Sequence, residues 1–332
     1  MKKIAVLGGG SWGTTLANLL AENAKLEVFL WIREKELLAE VKAKGENTWY
    51  LPGVKLHSNL RTSADITEVL MDANYFLVVV PCQYIRGVLQ EVKDMFPVNP
   101  IVICASKGIE IESLSPLSKV INDVLSEKKP IYAILSGPSF AKEVSAKLPT
   151  AVSLGCINEK VGRDLQQLFS NSYFRVYYNP DYRGVELGGA LKNIIALAAG
   201  IADGLGFGHD ARAALITRGL AEMSRLGIAL GAKERTFMGL SGMGDLVLTC
   251  TGDLSRNRQV GLRLGQGEKL KEIINSMRMV AEGVKTTKAV YRLAQSLNVE
   301  MPITEQVYAI LYDNKDPRQA VCELMERKLK EE

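Results

Sequence analysis

Gly8, Gly10 and Gly13 follow the short apolar run Ile4-Ala5-Val6-Leu7 with the spacing G-x-G-x-x-G. Glycines so spaced make a pyrophosphate site. The first permits a tight turn, the second lets backbone approach the diphosphate, and the third lets the next helix pack close to the strand. The helix N-terminus then turns free N–H groups and its positive dipole end towards the anion. The amphipathic segment Thr14 to Asn23 and the apolar run Leu26 to Trp31 complete a strand–helix–strand unit around the turn. That context separates it from a bare glycine-rich turn that binds nothing.

In such a unit the end of the second strand reads the adenosine ribose. Here it ends Phe29-Leu30-Trp31-Ile32-Arg33, and the first acid, Glu34, comes one place late. A carboxylate hydrogen-bonds a free 2′-hydroxyl and repels a 2′-phosphate, whereas a guanidinium pairs with the phosphate. Arg33 therefore points to NADP(H) as the favoured cofactor, while Glu34 leaves NAD(H) use open.

A dinucleotide site implies hydride transfer, and a carbonyl that receives hydride also needs a proton donor at its oxygen. The chain has two histidines. His57 lies in a polar loop and reads as surface. His209, in Gly206-Phe207-Gly208-His209-Asp210, is a second candidate, or simply part of a turn between helices. Lys192 is the better one. It stands in Leu187-Gly188-Gly189-Ala190-Leu191-Lys192-Asn193-Ile194-Ile195, part of a helical stretch apolar nearly all round and hence buried. Lysine is almost never buried without a partner or a role; the alternative is an amine that snorkels from a helix edge. The small residues Gly188, Gly189 and Ala190 would let another backbone, or a ligand, come close.

Other polar groups stand where they would serve the same chemistry. Asp245, in Gly242-Met243-Gly244-Asp245-Leu246, suits an N-cap, a partner for a substrate hydroxyl, or a group that orients the lysine. Ser255-Arg256-Asn257 offers a hydroxyl, a planar fork of donors and an amide, a set that suits a phosphate and an adjacent hydroxyl, or else a solvated loop. Lys107, in Ser106-Lys107-Gly108, follows an apolar strand and so sits on the edge that faces the ligand crevice of an open parallel sheet. Ser136-Gly137-Pro138-Ser139-Phe140-Ala141 likewise follows a strand and enters a helix.

The elements that must hold these groups change character along the chain. Strand-like runs at Tyr75 to Val80, Ile101 to Ala105, Ile131 to Leu135, Ala151 to Leu154 and Phe174 to Tyr177 alternate with helical spacing at Ile85 to Phe96, Leu117 to Leu125 and Val161 to Phe169. This alternation predicts a parallel sheet with helices on both faces. After Asn179-Pro180 the strand pattern stops. Asp181 to Gly204, Ala211 to Leu230, Leu270 to Met277, Thr286 to Leu297, Thr304 to Leu311 and Ala320 to Leu329 all read as helices. The expectation is two domains: residues 1–180 as a doubly wound α/β Rossmann-type domain that binds the dinucleotide, and residues 181–332 as an all-α domain for substrate and catalysis.

Composition narrows the class. The 332 residues, 47% hydrophobic and 23% charged, are enough for two cores. A net charge of +4 is too slight for a nucleic-acid binder and suits an anionic small molecule. Five cysteines without a C-x-x-C pair read as reduced thiols in the cytoplasm. The apolar run after Met1-Lys2-Lys3 stops at Gly8, short of a signal peptide, and no stretch of roughly 18 uncharged apolar residues predicts membrane insertion. Two histidines and scattered thiols argue against a metal site.

Taken together, the chain resembles the bacterial and archaeal NAD(P)-dependent glycerol-3-phosphate dehydrogenases. The resemblance rests on Gly8-Gly9-Gly10-Ser11-Trp12-Gly13-Thr14, Ser106-Lys107-Gly108, Ser136-Gly137-Pro138-Ser139-Phe140-Ala141, Glu186-Leu187-Gly188-Gly189-Ala190-Leu191-Lys192-Asn193, Ala214-Leu215-Ile216-Thr217-Arg218-Gly219, Gly242-Met243-Gly244-Asp245-Leu246 and Ser255-Arg256-Asn257. It implies a Rossmann domain followed by a helical domain of the 6-phosphogluconate dehydrogenase type. It also implies interconversion of sn-glycerol 3-phosphate and dihydroxyacetone phosphate, a homodimer, and a place in phospholipid precursor synthesis. By that pattern Lys192 is the proton acceptor in the oxidation. Ser11, Trp12, Arg33 and Ala141 fall on cofactor positions, and Lys107 on both cofactor and substrate. Gly137, Ser139, Asp245, Ser255, Arg256 and Asn257 fall on substrate positions, with Arg256 also near the cofactor. Val280 and Glu282, which local chemistry does not single out, match a late cofactor-binding segment. The stretch around His209 departs from the pattern, so the resemblance gives that histidine no role. Two rivals are a related hydroxy-acid dehydrogenase, since an arginine fork also suits a carboxylate, and a non-catalytic dinucleotide sensor, which would need the glycine turn but no lysine in an apolar helix.

Overall fold

Alternation along the first apolar run sets up the α/β layer. In β1 (Lys2–Leu7), Ile4 and Val6 enter the core on one side of the sheet, and Ala5 and Leu7 the core on the other. The same division recurs in β2 (Leu26–Trp31) and β4 (Tyr75–Val78), as expected of strands covered on both faces. The computed structural model of the chain describes residues 1–277, 279–329 and 331. The remaining strands are β3 (Leu60–Ser63), β5 (Ile101–Cys104), β6 (Ile131–Ser136), β7 (Thr150–Cys156) and β8 (Phe174–Asn179). They form an eight-stranded sheet in the order β3-β2-β1-β4-β5-β6-β7-β8. The strand order reverses between β1 and β4, which is where an open α/β sheet leaves its ligand crevice.

Two features of the sheet differ from the sequence expectation. β3 has only one apolar residue, Leu60, and no apolar run announces it; it pairs with β2 at the sheet edge, where one side needs no burial. The expected all-parallel sheet is broken at β7, which runs antiparallel to β6. Between them lies only the short helix Ala141–Ser145, too short to carry the chain back along the strands for a parallel return.

The helices of this first unit are α1 (Ser11–Ala21), α2 (Lys35–Lys44), α3 (Ile66–Leu70), α4 (Ile85–Val92), α5 (Leu117–Val124), α6 (Ala141–Ser145) and α7 (Glu159–Phe169). The unit comprises Met1–Lys107 and Pro116–Glu186; the second comprises Gly108–Ser115 and Leu187–Glu332.

Apart from Gly108–Ser115 and the first turn of α8, the second unit is built on α8 (Tyr182–Gly204), α9 (His209–Ala229), α10 (Glu234–Phe237), α11 (Asp245–Thr251), α12 (Arg256–Gly265), α13 (Leu270–Ser276), α14 (Glu282–Ser296), α15 (Pro302–Tyr312) and α16 (Pro317–Met325). By length and composition α8 is long and apolar enough to cross a bilayer, yet its apolar window is wholly buried within the protein. It is the central helix of the second core, contributing Leu187, Leu191, Ile194, Ile195 and Leu197. Where α8 crosses α12 the backbones touch: Gly200 and Gly204 face Arg258 and Leu262 carbonyls, and Gly261 and Gly265 face those of Leu197 and Ile201. A Cβ at any of these four glycines would overlap the opposing carbonyl. The helix that carries Lys192 is thereby held in register with the helix that begins at Arg256.

Candidate active site

The glycine turn meets its steric demands one residue at a time. Gly8 has φ +124°, and a Cβ there would stand 2.7 Å from the Val79 carbonyl oxygen, in the loop after β4. At Gly13 a Cβ would run into the Gly8 carbonyl, so α1 is pressed onto the strand that precedes it. Gly10 differs: nothing lies within 4 Å of its Cβ position. Gly10 is also the N-cap of α1, and no side chain caps that end. Open space against an uncapped helix start is what a diphosphate requires, so the residues present fit a dinucleotide.

Neighbouring groups surround this turn. The Ser11 hydroxyl donates to the Tyr50 carbonyl at 2.5 Å, and Trp12 packs half-buried against the core. Arg33 is exposed and forms an ion pair with Glu34 at 3.5 Å. Beyond the ends of β5 and β6, Lys107 Nζ donates to the Gly137 carbonyl at 3.4 Å, and the Ser139 hydroxyl donates to the same oxygen at 3.0 Å. Gly137 has φ +153°, and a Cβ there would sit 2.8 Å from Val152 Cα, so the loop turns tightly against β7. Ala141 opens α6, and its carbonyl accepts the Thr15 hydroxyl of α1 at 3.4 Å.

In the second unit Lys192 is buried, its side chain 8% exposed. This excludes a snorkelling amine. Nζ lies 2.6 Å from Asp245 Oδ1 and donates to Thr249 Oγ1 at 2.5 Å. The Thr249 hydroxyl in turn donates to the Asp245 carbonyl at 2.6 Å, which leaves its oxygen free to accept from the amine. Asp245 is the first residue of α11, and Gly244 before it makes no side-chain cap. Asp245 is therefore not the cap of α11, and its carboxylate pairs with the Lys192 amine. A buried ammonium is tolerable only with such a partner, because desolvation of a lone charge is costly. Cys250, next along α11, is fully buried; that burial pushes its thiol up to about 12, against a smaller pull from Lys192.

Asn193, beside Lys192, begins a second polar chain. Gly283 N–H donates to Asn257 Oδ1 at 2.9 Å, and Asn257 Nδ2 donates to Asn193 Oδ1 at 2.9 Å. Because a backbone N–H can only donate, it sets the orientation of both amides. Ser255 is not in a solvated loop: it is buried and caps α12, its hydroxyl accepting the Arg258 N–H at 3.2 Å. Arg256 is exposed, with Nη1 donating to the Val280 carbonyl at 3.0 Å. Arg256 and Asn257 are thus tied to the segment that holds Val280 and, at the first residue of α14, Glu282.

His57 Nδ1 accepts the Asn59 N–H at 3.2 Å within its own turn, and His209 is exposed at the start of α9. Sequence reasoning missed Thr249. Its position one helical turn after Asp245 was a usable signal, since residues four apart share a helix face.

Two family models match the chain: the N-terminus of NAD-dependent glycerol-3-phosphate dehydrogenase over residues 3–162, and its C-terminus over residues 181–322. The chain belongs to this dehydrogenase family. It is accordingly an oxidoreductase. The NAD(P)+ glycerol-3-phosphate dehydrogenase of Maridesulfovibrio salexigens is 61% identical over 330 residues, covering 99% of this chain and 100% of the relative. That of Citrifermentans bemidjiense is 55% identical, covering 100% of this chain and 99% of the relative. The crystal structure of glycerol-3-phosphate dehydrogenase from Coxiella burnetii matches with a TM-score of 0.94 at 44% identity, over 98% of this chain and 99% of the other. A D-mandelate dehydrogenase complex, at 12% identity and a TM-score of 0.62, shares the fold alone.

Proposed function

We propose that the enzyme interconverts dihydroxyacetone phosphate and sn-glycerol 3-phosphate, with NADP(H) favoured and NAD(H) also used. The observation that carries this reading is the buried ion pair of Lys192 and Asp245, 2.6 Å apart. Bound nicotinamide dinucleotide supplies or takes up the hydride. In the reduction, Lys192 donates a proton to the substrate's carbonyl oxygen as negative charge grows there. Asp245 and Thr249 aim the amine and hold it against rotation, so little reorganisation is needed when the charge develops. In the oxidation, Lys192 works as a neutral amine and takes the hydroxyl proton. Lys107, Gly137, Ser139, Ser255, Arg256 and Asn257 take the rest of the substrate, with the Arg256 fork on the phosphate. The cofactor is held by Gly8, Gly10, Ser11, Trp12, Gly13 and Arg33, together with Lys107, Ala141, Arg256, Val280 and Glu282.

In this reading residues 1–180 form the dinucleotide domain and 181–332 the substrate domain. The enzyme works in the cytoplasm as a homodimer and supplies glycerophospholipid synthesis. Loss of nicotinamide absorbance with dihydroxyacetone phosphate, followed for each cofactor in parallel, tests the activity. Near-normal turnover in Lys192→Ala would remove the lysine from its role.

A further inference from the structure

We infer that Arg258, gripped by Asp203, is a positioning residue that aims Arg256 at the substrate phosphate, an inference that rests on the phosphate reading of Arg256. Asp203 lies in the last turn of α8, and its side chain is only 7% exposed. Its carboxylate is shared by two guanidinium groups, one on each oxygen. Oδ1 accepts Arg212 Nε at 3.0 Å and Nη2 at 2.6 Å, from the first turn of α9. Oδ2 accepts Arg258 Nε at 2.9 Å, and Nη2 of the same fork is also 2.9 Å away. The other arm of that fork, Nη1, donates to Asp253 Oδ1 at 2.8 Å. Arg258 thus joins the end of α8 to the loop that precedes α12.

The residues that open α12 face different ways. Arg256 and Arg258, two places apart on a helix, project to opposite sides of its axis. Arg256 reaches the Val280 carbonyl, Arg258 reaches Asp203, and Asn257 between them bridges Asn193 and Gly283. The four glycines where α8 crosses α12 set the separation of the helices, but they present no side chain that would stop α12 from turning about its own axis. Arg258 supplies that stop. Its backbone N–H is bonded to the Ser255 hydroxyl and its side chain to Asp203, so the first turn of α12 is held at both. The bonds of Asn257 join neutral groups, whereas those of Arg258 are charge-assisted and the stronger of the two. Release of Arg258 lets the first turn roll, and Arg256 on the far side swings with it. A lysine cannot keep the grip, because an ammonium lacks the planar fork that spans Asp203 and Asp253.

Steady-state kinetics of Arg258→Lys test this. The Michaelis constant for dihydroxyacetone phosphate should rise about tenfold, while the turnover number and the Michaelis constant for the cofactor stay within about twofold, the pattern of lost uniform binding. In an Arg256→Ala background the same substitution should add less than about twofold, because the group it aims is gone. Asp203→Asn keeps the shape and loosens the grip from the α8 side; it should give the same Arg256-dependent rise. Arg212→Lys is the control. It disturbs the same carboxylate without touching α12, so it should lower the melting temperature and leave the Michaelis constant within about twofold. No rise in Arg258→Lys or Asp203→Asn, an undiminished rise without Arg256, or an equal rise in Arg212→Lys overturns the inference. If Arg256→Ala by itself leaves the Michaelis constant unchanged, the phosphate reading fails and this inference with it; if Arg256→Ala raises it and Arg258→Lys does not, only the role of Arg258 falls.

Discussion

Gly188 of α8 and Ser241, in the single π turn Leu240–Gly244 that leads into α11, meet backbone to backbone: a Cβ on Gly188 would lie 2.5 Å from the Ser241 carbonyl oxygen and 3.3 Å from Gly242 N. On its other side the turn is pinned at Gly242, where any Cβ would overlap the Phe237 carbonyl. Gly188 precedes Lys192 by one helical turn, and Asp245 follows the π turn directly. The close approach therefore sets the distance between the two ionic partners. Helix propensity alone predicts that Gly188→Ala stabilises the protein by roughly 0.5–1 kcal/mol. The opposite is expected: a lower melting temperature and a turnover number reduced at least about tenfold, since misplaced catalytic groups lose much of their advantage. A variant with a raised melting temperature and full turnover would show that the turn has room to move.

Asp245→Asn removes the negative partner and leaves a buried cation without a counter-charge at Asp245. A loss of about 3–5 kcal/mol is expected when one member of a buried pair is removed, together with a turnover number at least about a hundredfold lower. Denaturant melts and steady-state rates, measured on the same preparation, check both. Thr249→Val keeps shape but deletes the hydroxyl; its expected effect is smaller, about tenfold on turnover with the Michaelis constant within a fewfold. Equal effects of the two substitutions would contradict this ranking.

Arg256 differs from these because its side chain reaches solvent, although partial burial of the guanidinium disfavours its charge against the pull of Glu282. Arg256→Ala should leave the melting temperature within about 1 °C, as surface substitutions usually do. Its Michaelis constant for dihydroxyacetone phosphate should rise about a hundredfold through loss of a charge-assisted contact. An unchanged Michaelis constant would move the phosphate to another group.

A pH dependence of stability should come from Glu222 of α9. It is buried and accepts the N–H groups of Ile303 (2.6 Å) and Thr304 (3.2 Å) at the start of α15, and also the Thr304 hydroxyl. Burial pushes its carboxyl up to about 7, against the pull of those hydrogen bonds. A folded-state value above that of the unfolded chain means that the native protein binds the proton more tightly. The associated stabilisation is present below about 4.5 and is lost as pH rises through about 7. Melting temperatures taken across that window should fall for this group's part, and Glu222→Gln should flatten the difference. Parallel curves for the two proteins would assign the slope elsewhere.

The sequence by itself determined the elements whose signal is local. Short apolar runs marked β2 and β5 nearly to the residue and β1 from Ile4 onward, because strands buried on both faces tolerate few polar side chains. The glycine spacing announced the turn before α1, where Gly8 and Gly13 leave no room for a Cβ. Lys192 was legible as buried from the apolar run around it. What folding alone decided is which distant groups meet. Asp245 is 53 residues from Lys192, and nothing in its local sequence chooses between capping a helix and pairing an amine. That choice follows from the packing of α8 against the π turn at Gly188. Likewise β3 exists because β2 offers it an edge, and β7 reverses because α6 is too short to bring the chain back. Local periodicity encodes which face is buried; the partner on that face is set by close packing, which no short stretch of sequence contains.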